Sequence, residues 1–107
     1  MGKTALIPFN KNDSSNTTFT AFTNTGTEPV DIRGLLLSVG NSDNMTLTIT
    51  GLATTNNQLG PVYFPANGGL WIMPGDYTFS VPVGGTIQVT KGTSSTPVTC
   101  LGFYTGN

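Results

Sequence analysis

Three observations predict an all-β chain that folds as a single antiparallel two-sheet β-sandwich. No window shows a sustained hydrophobic period of about 3.6 residues, which removes the main signal for amphipathic helices. Apolar and polar residues instead alternate in short stretches, such as MTLTIT at 45–50, and glycine, proline and asparagine separate these stretches. Nine such stretches in 107 residues are too many for one open sheet, so two packed sheets of jelly-roll or Ig-like type are expected.

The predicted strands form one domain over residues 1–107. They occupy residues 4–9, 17–23, 29–39, 45–51, 61–65, 69–73, 77–83, 86–91 and 97–105. The polar runs at 11–16 and 53–58 are predicted to be loops because they are rich in asparagine, serine and threonine.

The third predicted strand changes the parity of its apolar residues. Its inward set begins with Val30 and Ile32 and continues, one residue out of step, with Leu35 and Leu37. Side chains alternate between the two faces of a strand, so such a switch indicates a β-bulge or a strand that crosses between sheets. Gly34 lies at the switch and is the expected position of the irregularity.

The sixth predicted strand carries four consecutive apolar residues, LWIM at 70–73. Leu70 and Ile72 point to one face, and Trp71 and Met73 point to the other, so both faces of the strand are apolar. Covering such an outer face is worth roughly 25 cal/mol per Å². A second subunit or a loop of the same chain satisfies this requirement, and Leu36, Trp71 and Met73 are the predicted contact residues.

The segment VPVGGTIQV at 81–89 contains the seventh and eighth strands. A two-residue turn at Gly84 and Gly85 would place Val81 opposite Gln88, which mixes apolar and polar faces. An odd-length loop is therefore predicted, or else the two strands lie in different sheets. Pro82 cannot donate a ladder hydrogen bond, which predicts a sheet edge there.

Composition excludes several classes of function. The chain has four basic and five acidic residues and a net charge of −1, which argues against sequence-independent nucleic-acid binding. It has no histidine and one cysteine, so Ser-His and Cys-His pairs and ordinary zinc sites are not expected. No catalytic residue, metal site or cofactor is predicted. Cys100 is expected to be a buried structural thiol.

Acidic residues leave two weaker alternatives open. A glycosidase-type carboxylate pair requires two of Glu28, Asp31, Asp43 and Asp76 to meet in space. Residues 10–14 have a slight likeness to a calcium loop but lack its glycine and terminal glutamate, so an Asx turn is expected there.

The sequence has no run of 18 apolar residues, and its start, MGKTALIPF, lacks the apolar core of a signal peptide. Synthesis in the cytoplasm without a membrane partner is therefore expected.

Several segments resemble small virion proteins of tailed bacteriophages. They are VDIRGL at 30–35, MTLTITG at 45–51, VYFPANGG at 62–69, PVGGTIQVT at 82–90 and PVTCLGFYT at 97–105. The resemblance covers roughly residues 17–105 and rests on turn residues. It implies a non-enzymatic structural protein of the virion, such as a capsid decoration, cement, tail or spike subunit. Such a protein is assembled in the host cytoplasm as a symmetric homo-oligomer.

The sequence also permits two other interpretations. TNTGTEPVDI at 23–32 and PGDYTFSV at 74–81 also look like the Ig-like modules of bacterial surface and cytoskeletal proteins. A carbohydrate-binding module is the alternative function, with a glycan stacked on an aromatic platform. Its candidate residues are Trp71, Tyr63, Tyr77 and Tyr104.

Overall fold

The computed structural model describes residues 5–51, 57–72 and 79–106, without the side chains of residues 71, 72 and 106. Within these ranges the regular structure consists of strands. They are β1 (Ala5–Asp13), β2 (Thr18–Thr23), β3 (Val30–Val39), β4 (Asp43–Ile49), β5 (Gln58–Phe64), β6 (Gly69–Ile72), β7 (Phe79–Val81), β8 (Thr86–Lys91) and β9 (Val98–Gly106).

Every predicted strand is present within the described residues, and β1 differs most from its predicted bounds. β5 begins at Gln58 instead of residue 61, and residues 53–56 of the second predicted loop lie outside the described residues. Residues 11–13, predicted as part of a loop, continue β1 because they pair with β9 as far as Asp13 opposite Val98. Polar composition predicted a loop there, but an antiparallel partner satisfies the backbone of a polar strand equally well.

The strands form two antiparallel sheets that pack face to face. One sheet has the order β1-β9-β3-β6, with β7 also paired to β3, and the other has the order β2-β8-β4-β5. The pairing is nested along the chain: β1 pairs with β9, β2 with β8, β3 with β6 and β7, and β4 with β5. This order is that of a jelly roll. It differs from the Ig sandwich, in which the first two strands share a sheet.

The predicted irregularity in the third strand is a bulge. Along the β3–β9 pair, Ile32 lies opposite Tyr104 and Gly34 lies opposite Phe103, so Arg33 is the additional residue. Ile32 and Leu35 are both buried on either side of it, while Arg33 is exposed. The bulge therefore keeps both halves of the strand's apolar set in the core.

The two strands around Gly84 and Gly85 lie in different sheets, which was the second of the two alternatives. Val81 ends β7 in the first sheet, and Thr86 begins β8 in the second. A turn between them is closed by a hydrogen bond from the Gly85 N–H to the Pro82 carbonyl at 2.8 Å. β7 is paired only to β3 among the described strands, in agreement with the predicted edge.

The core lies between the sheets and consists mainly of aliphatic side chains, with Phe19 and Phe64 among its buried members. Its most deeply buried side chains are Ile32, Leu35, Met45, Val81, Ile87, Val89 and Cys100. Burial raises the pKa of the Cys100 thiol to about 12, which leaves it protonated and unreactive at neutral pH. The prediction of a buried structural thiol is confirmed.

Gly102 occupies the middle of β9 at a point where three strands crowd together. A Cβ atom at this position would overlap the Gly34 carbonyl oxygen of β3 and lie 2.9 Å from the Phe9 ring of β1. Gly102 is directly opposite Phe9 on one side and Leu35 on the other. The absence of a side chain here allows the Phe9 ring to lie over the strand.

One end of the sandwich is closed by a buried ion pair between the sheets. Lys91, at the end of β8, is 3% exposed, and its ammonium group lies 2.7 Å from Oδ1 of Asp13 at the end of β1. The same ammonium donates to the carbonyl oxygens of Asp13 and Ser94, at 3.2 and 3.1 Å. It also lies 5.6 Å from the centroid of the Phe19 ring.

The Asp13 carboxylate accepts further hydrogen bonds besides the one from the Lys91 ammonium group. Its carboxylate receives hydrogen bonds from the backbone N–H groups of Ser15 and Asn16 and from Nδ2 of Asn16. This arrangement is the Asx turn predicted for the segment. The bond from Lys91 first, and those from Asn16 and Ser15 with it, hold the pKa of Asp13 well below its usual range.

We expect this carboxylate to make the fold sensitive to acid. A lowered folded-state pKa contributes stability above the unfolded value of about 4, and this contribution is lost as pH falls below that value. The free energy of unfolding, measured by urea titration from neutral to acidic pH, should therefore decline, and the decline should be shallower in Asp13→Asn. Equal declines in the two proteins would contradict this assignment.

Some acid sensitivity should remain in that variant because of Asp43. Burial alone would raise the pKa of Asp43. Hydrogen bonds from Oγ1 of Thr96 and from backbone N–H groups, including those of Asn44 and Thr93, outweigh burial and lower the pKa.

Candidate interaction surface and end cavity

The outer face of the sheet β1-β9-β3-β6 carries apolar side chains that the core does not use. We name Pro8, Leu36, Leu101 and Phe103 the outer apolar patch. Phe103 is 37% exposed, Pro8 is exposed, and Leu36 and Leu101 are half-buried. They alternate along their strands with inward-facing residues such as Leu35 and Cys100, so the patch points away from the core.

Strand register makes the patch contiguous. Pro8 on β1 lies opposite Phe103 on β9, and Leu101, two residues before Phe103 on β9, lies opposite Leu36 on β3. Leu36 is in turn directly opposite Trp71 on β6. Leu6, two residues before Pro8 on β1, is 59% exposed and extends the apolar surface toward the start of the strand.

The predicted contact residues have different outcomes. Leu36 lies on the outer face as predicted. The backbone of Trp71 is described and lies in register with Leu36, whereas its side chain and the whole of Met73 lie outside the described residues. Leu70, predicted to lie on the face opposite to Trp71, is paired with buried Leu37 and shares its face of the sheet, but is 37% exposed because β6 lies at the edge of the sheet among the described strands.

The outer face of the opposite sheet is polar along β2, β8 and β4, and its β5 edge carries the exposed ring of Tyr63. It presents threonine and glutamine side chains from β2, β8 and β4: Thr18, Thr20, Thr46, Thr48, Thr86, Gln88 and Thr90. Some are joined in pairs, with 3.1 Å between the hydroxyls of Thr18 and Thr90. The two outer faces therefore differ in chemistry, and the contiguous apolar surface lies on the first sheet.

Sequence reasoning did not identify Leu101, Phe103 or Pro8 as surface residues. In PVTCLGFYT, small or apolar residues occupy both of the alternating sets of positions that face opposite sides of a strand. The pattern therefore does not distinguish the core face from the outer face. The register of β9 with β1 and β3 is what places Leu101, Phe103 and Pro8 on the outer face.

A cavity of about 380 Å³ opens at the end of the sandwich opposite the Lys91–Asp13 pair. It lies between the start of β1, the loop from β2 to β3, and the end of β9. Its lining consists of Ile7, residues 22–30, Tyr104 and Thr105. Phe22 packs against Tyr104 in a tilted arrangement with 4.7 Å between ring centroids, and against Phe9 in a similar arrangement at 5.2 Å. The aromatic rings provide an apolar wall together with Ile7, Pro29 and Val30, and threonine residues and Glu28 supply most of the polar lining.

The loop that forms one wall of this cavity is anchored by a buried asparagine. Asn24 is 3% exposed and donates through Nδ2 to the carbonyl oxygens of Glu28, at 2.9 Å, and Val81, at 3.0 Å. Its Oδ1 accepts a hydrogen bond from the N–H of Gly26 at 3.0 Å. These bonds close the loop on itself and tie it to β7, so the wall is formed without a ligand.

The aromatic platform proposed for a glycan does not assemble from its described members. Tyr63 lies on β5 of the second sheet and is 74% exposed, whereas Tyr104 lies on β9 of the first sheet and packs against Phe22. Tyr77 and the Trp71 side chain lie outside the described residues. Tyr63 and Tyr104 therefore cannot bind one sugar between them.

Three of the four described acidic side chains have structural partners rather than each other, and the fourth, Glu28, is exposed at the end cavity. Asp13 pairs with Lys91, Asp43 holds the loop that begins at Gly92, and Asp31 accepts a hydrogen bond from Ser80 at 2.8 Å. Asp76 lies outside the described residues. Among the residues that the structure describes, no three acidic, cysteine or histidine side chains are grouped as metal ligands.

No protein-family model matches the chain, and no curated protein matches it. Its function is therefore inferred from its own surfaces. In the described part of the chain, no helix has the length and apolar character required to cross a membrane.

Proposed function

We propose that the chain is a non-enzymatic structural subunit of a virion, a capsid decoration or cement protein, that assembles through its outer apolar patch. The observation that carries this proposal is the contrast between the two sheets. One outer face presents a contiguous group of apolar side chains around Phe103 and Leu101, and the other presents hydroxyl and amide groups along β2, β8 and β4, with Tyr63 as a separate exposed ring on β5. The partner is a second copy of the chain or a capsid protein.

The fold supports the virion role by analogy. Jelly rolls form many viral capsid domains, although they also form lectins and cupins, so the fold alone does not assign a function. The low charge of the chain, with only nine acidic and basic residues in total, agrees with a surface that neighbouring subunits occupy.

Burial of apolar area is the proposed mechanism of assembly. Apolar burial does not depend on charge pairs, and the patch itself contains no charged residue. Assembly should therefore persist when salt is raised, since salt screens only interactions between charges.

We expect Phe103→Lys to abolish self-association. A lysine at this exposed position places an ammonium group in the middle of the patch, where a partner would have to bury it unpaired. Light scattering at low and at high salt should give a trimer, pentamer or larger ring for the unmodified chain and a monomer for the variant. Tyr63→Lys is the matched control, because it removes an even more exposed aromatic ring from the other sheet and should leave the oligomer intact.

Two results would contradict the proposal at different levels. A monomeric unmodified chain, or an oligomer that tolerates Phe103→Lys but not Tyr63→Lys, would contradict self-assembly through this patch. The virion role is tested separately by mass spectrometry of virus particles purified from cells that carry the coding sequence. Absence of the chain from such particles would contradict that role.

A further inference from the structure

We infer that the end cavity binds a neutral sugar ring, at a site distinct from the outer apolar patch and from the aromatic platform suggested by the sequence. The inference is independent of the proposed assembly function. It rests on the chemistry of the cavity lining, on its size and on its preformed wall.

The lining favours an uncharged ligand with hydroxyl groups. It contains no lysine or arginine, so nothing in it would neutralise a phosphate or a carboxylate. Glu28 supplies a carboxylate, which accepts hydrogen bonds from hydroxyl donors, and threonine hydroxyls both donate and accept. Four threonines line the cavity: Thr23, Thr25, Thr27 and Thr105.

The aromatic wall favours a ligand that also has an apolar face. Phe22 and Tyr104 line the cavity and pack against one another with 50° between their ring planes, and Phe9 packs against Phe22. The C–H face of a sugar ring packs on an aromatic ring while its hydroxyls remain available to polar groups. A purely apolar ligand would form no hydrogen bonds with the threonine and glutamate side chains of the lining.

Size and rigidity agree with a small ligand. The cavity volume of about 380 Å³ is near the lower end of the range of roughly 300–1,000 Å³ for small-molecule sites, which suits one or two sugar units. Asn24 holds the loop through the Glu28 and Val81 carbonyl oxygens, so little ordering is required when a ligand binds.

The test is an NMR titration of the ¹⁵N-labelled full chain with glucose, galactose, mannose and N-acetylglucosamine at millimolar concentrations. We expect saturable shifts from at least one sugar, centred on residues 22–30 and 104–105. Thr27→Trp, which fills the cavity from an exposed position, should weaken binding by at least about tenfold. Glu28→Gln, which keeps the shape and removes the charge, should weaken it less.

Ser95→Trp is the matched control, because it adds the same ring at an exposed position at the other end of the sandwich and should bind as the unmodified chain does. If Thr27→Trp shifts resonances throughout the chain, the substitution has disturbed the fold. Sugar binding by Glu28→Gln and Tyr104→Phe then tests the site, since both variants preserve side-chain shape. Absence of a saturable shift with every sugar would overturn the inference. So would binding that all cavity variants retain, or shifts centred on the outer face around Leu36.

Discussion

Replacing Lys91 by methionine should lower the free energy of unfolding by about 3 kcal/mol. The ammonium group is buried, lies 2.7 Å from Asp13 and donates to two carbonyl oxygens, so all its hydrogen-bonding capacity is used. Methionine preserves the packing of the stem but leaves the Asp13 carboxylate without its cation and removes the ammonium donor from both carbonyl oxygens. Removing one partner from a buried pair is more harmful than replacing both, because the remaining charge stays in a poorly solvated site.

A double-mutant cycle separates the pair from its surroundings. Asp13→Asn should also destabilise the fold, and the variant with both changes should lose less than the sum of the single losses. Lys11→Met is the control for removing one positive charge: Lys11 lies on the same strand β1 but is exposed, so its loss should be nearly neutral. Urea unfolding gives all four values. Additive losses, or a neutral Lys91→Met, would show that the pair does not hold the sheets together.

Gly102→Ala should destabilise the fold by about 3 kcal/mol, the upper end of the range for overpacking. The added methyl group would overlap the Gly34 carbonyl oxygen and press on the Phe9 ring. The carbonyl belongs to the backbone of a paired strand, so it cannot move aside without disturbing the β3–β9 ladder next to the bulge. The ring can move, but only by giving up its contact with Phe22.

Thermal unfolding monitored by circular dichroism checks this prediction. In a domain of this size, a loss of about 3 kcal/mol corresponds to a fall in Tm of more than about 10 °C. Gly26→Ala is the matched control: the nearest atom to its added methyl group would be Oδ1 of Asn24 at 3.4 Å, an ordinary contact. A similar Tm in Gly102→Ala and the unmodified chain would mean that β1 and β3 separate readily enough to accept a side chain between them.

The sequence predicted the fold class because the information about it is local. Alternation of apolar and polar residues placed all nine strands, and the change of parity at Gly34 located the bulge. Jelly-roll and Ig-like sandwiches share this local pattern and differ only in which distant strands pair. The choice between them depended on pairings such as Ala5 opposite Gly106, for which the sequence offers no local signal.

The candidate surfaces were predicted only in part for the same reason. Leu36 was identified because three leucines in a row must place one outward, but Phe103 and Leu101 required the register of β9. Lys91 was missed although a signal exists: in TIQVTK it occupies the third inward position after Ile87 and Val89. A lysine at a core position of a strand indicates a buried partner, and only the fold could bring Asp13 to it.

The nested pairing of strands has a consequence for the order in which the chain can fold during synthesis. β9 lies between β1 and β3, so the first sheet has a gap at its centre until the ribosome has released residues 98–106. β2 likewise waits for β8. Among the described pairings, the β4–β5 hairpin and the pairing of β3 with β6 and β7 can form before β8 and β9 are synthesised. The pairings that complete the core, β1 with β9 and β2 with β8, join segments distant in sequence and are therefore slow to form. Until then β1 and β2 remain unpaired, with exposed strand edges. Polar residues between their apolar ones, and Pro8, which has no N–H to donate, limit their pairing with neighbouring nascent chains.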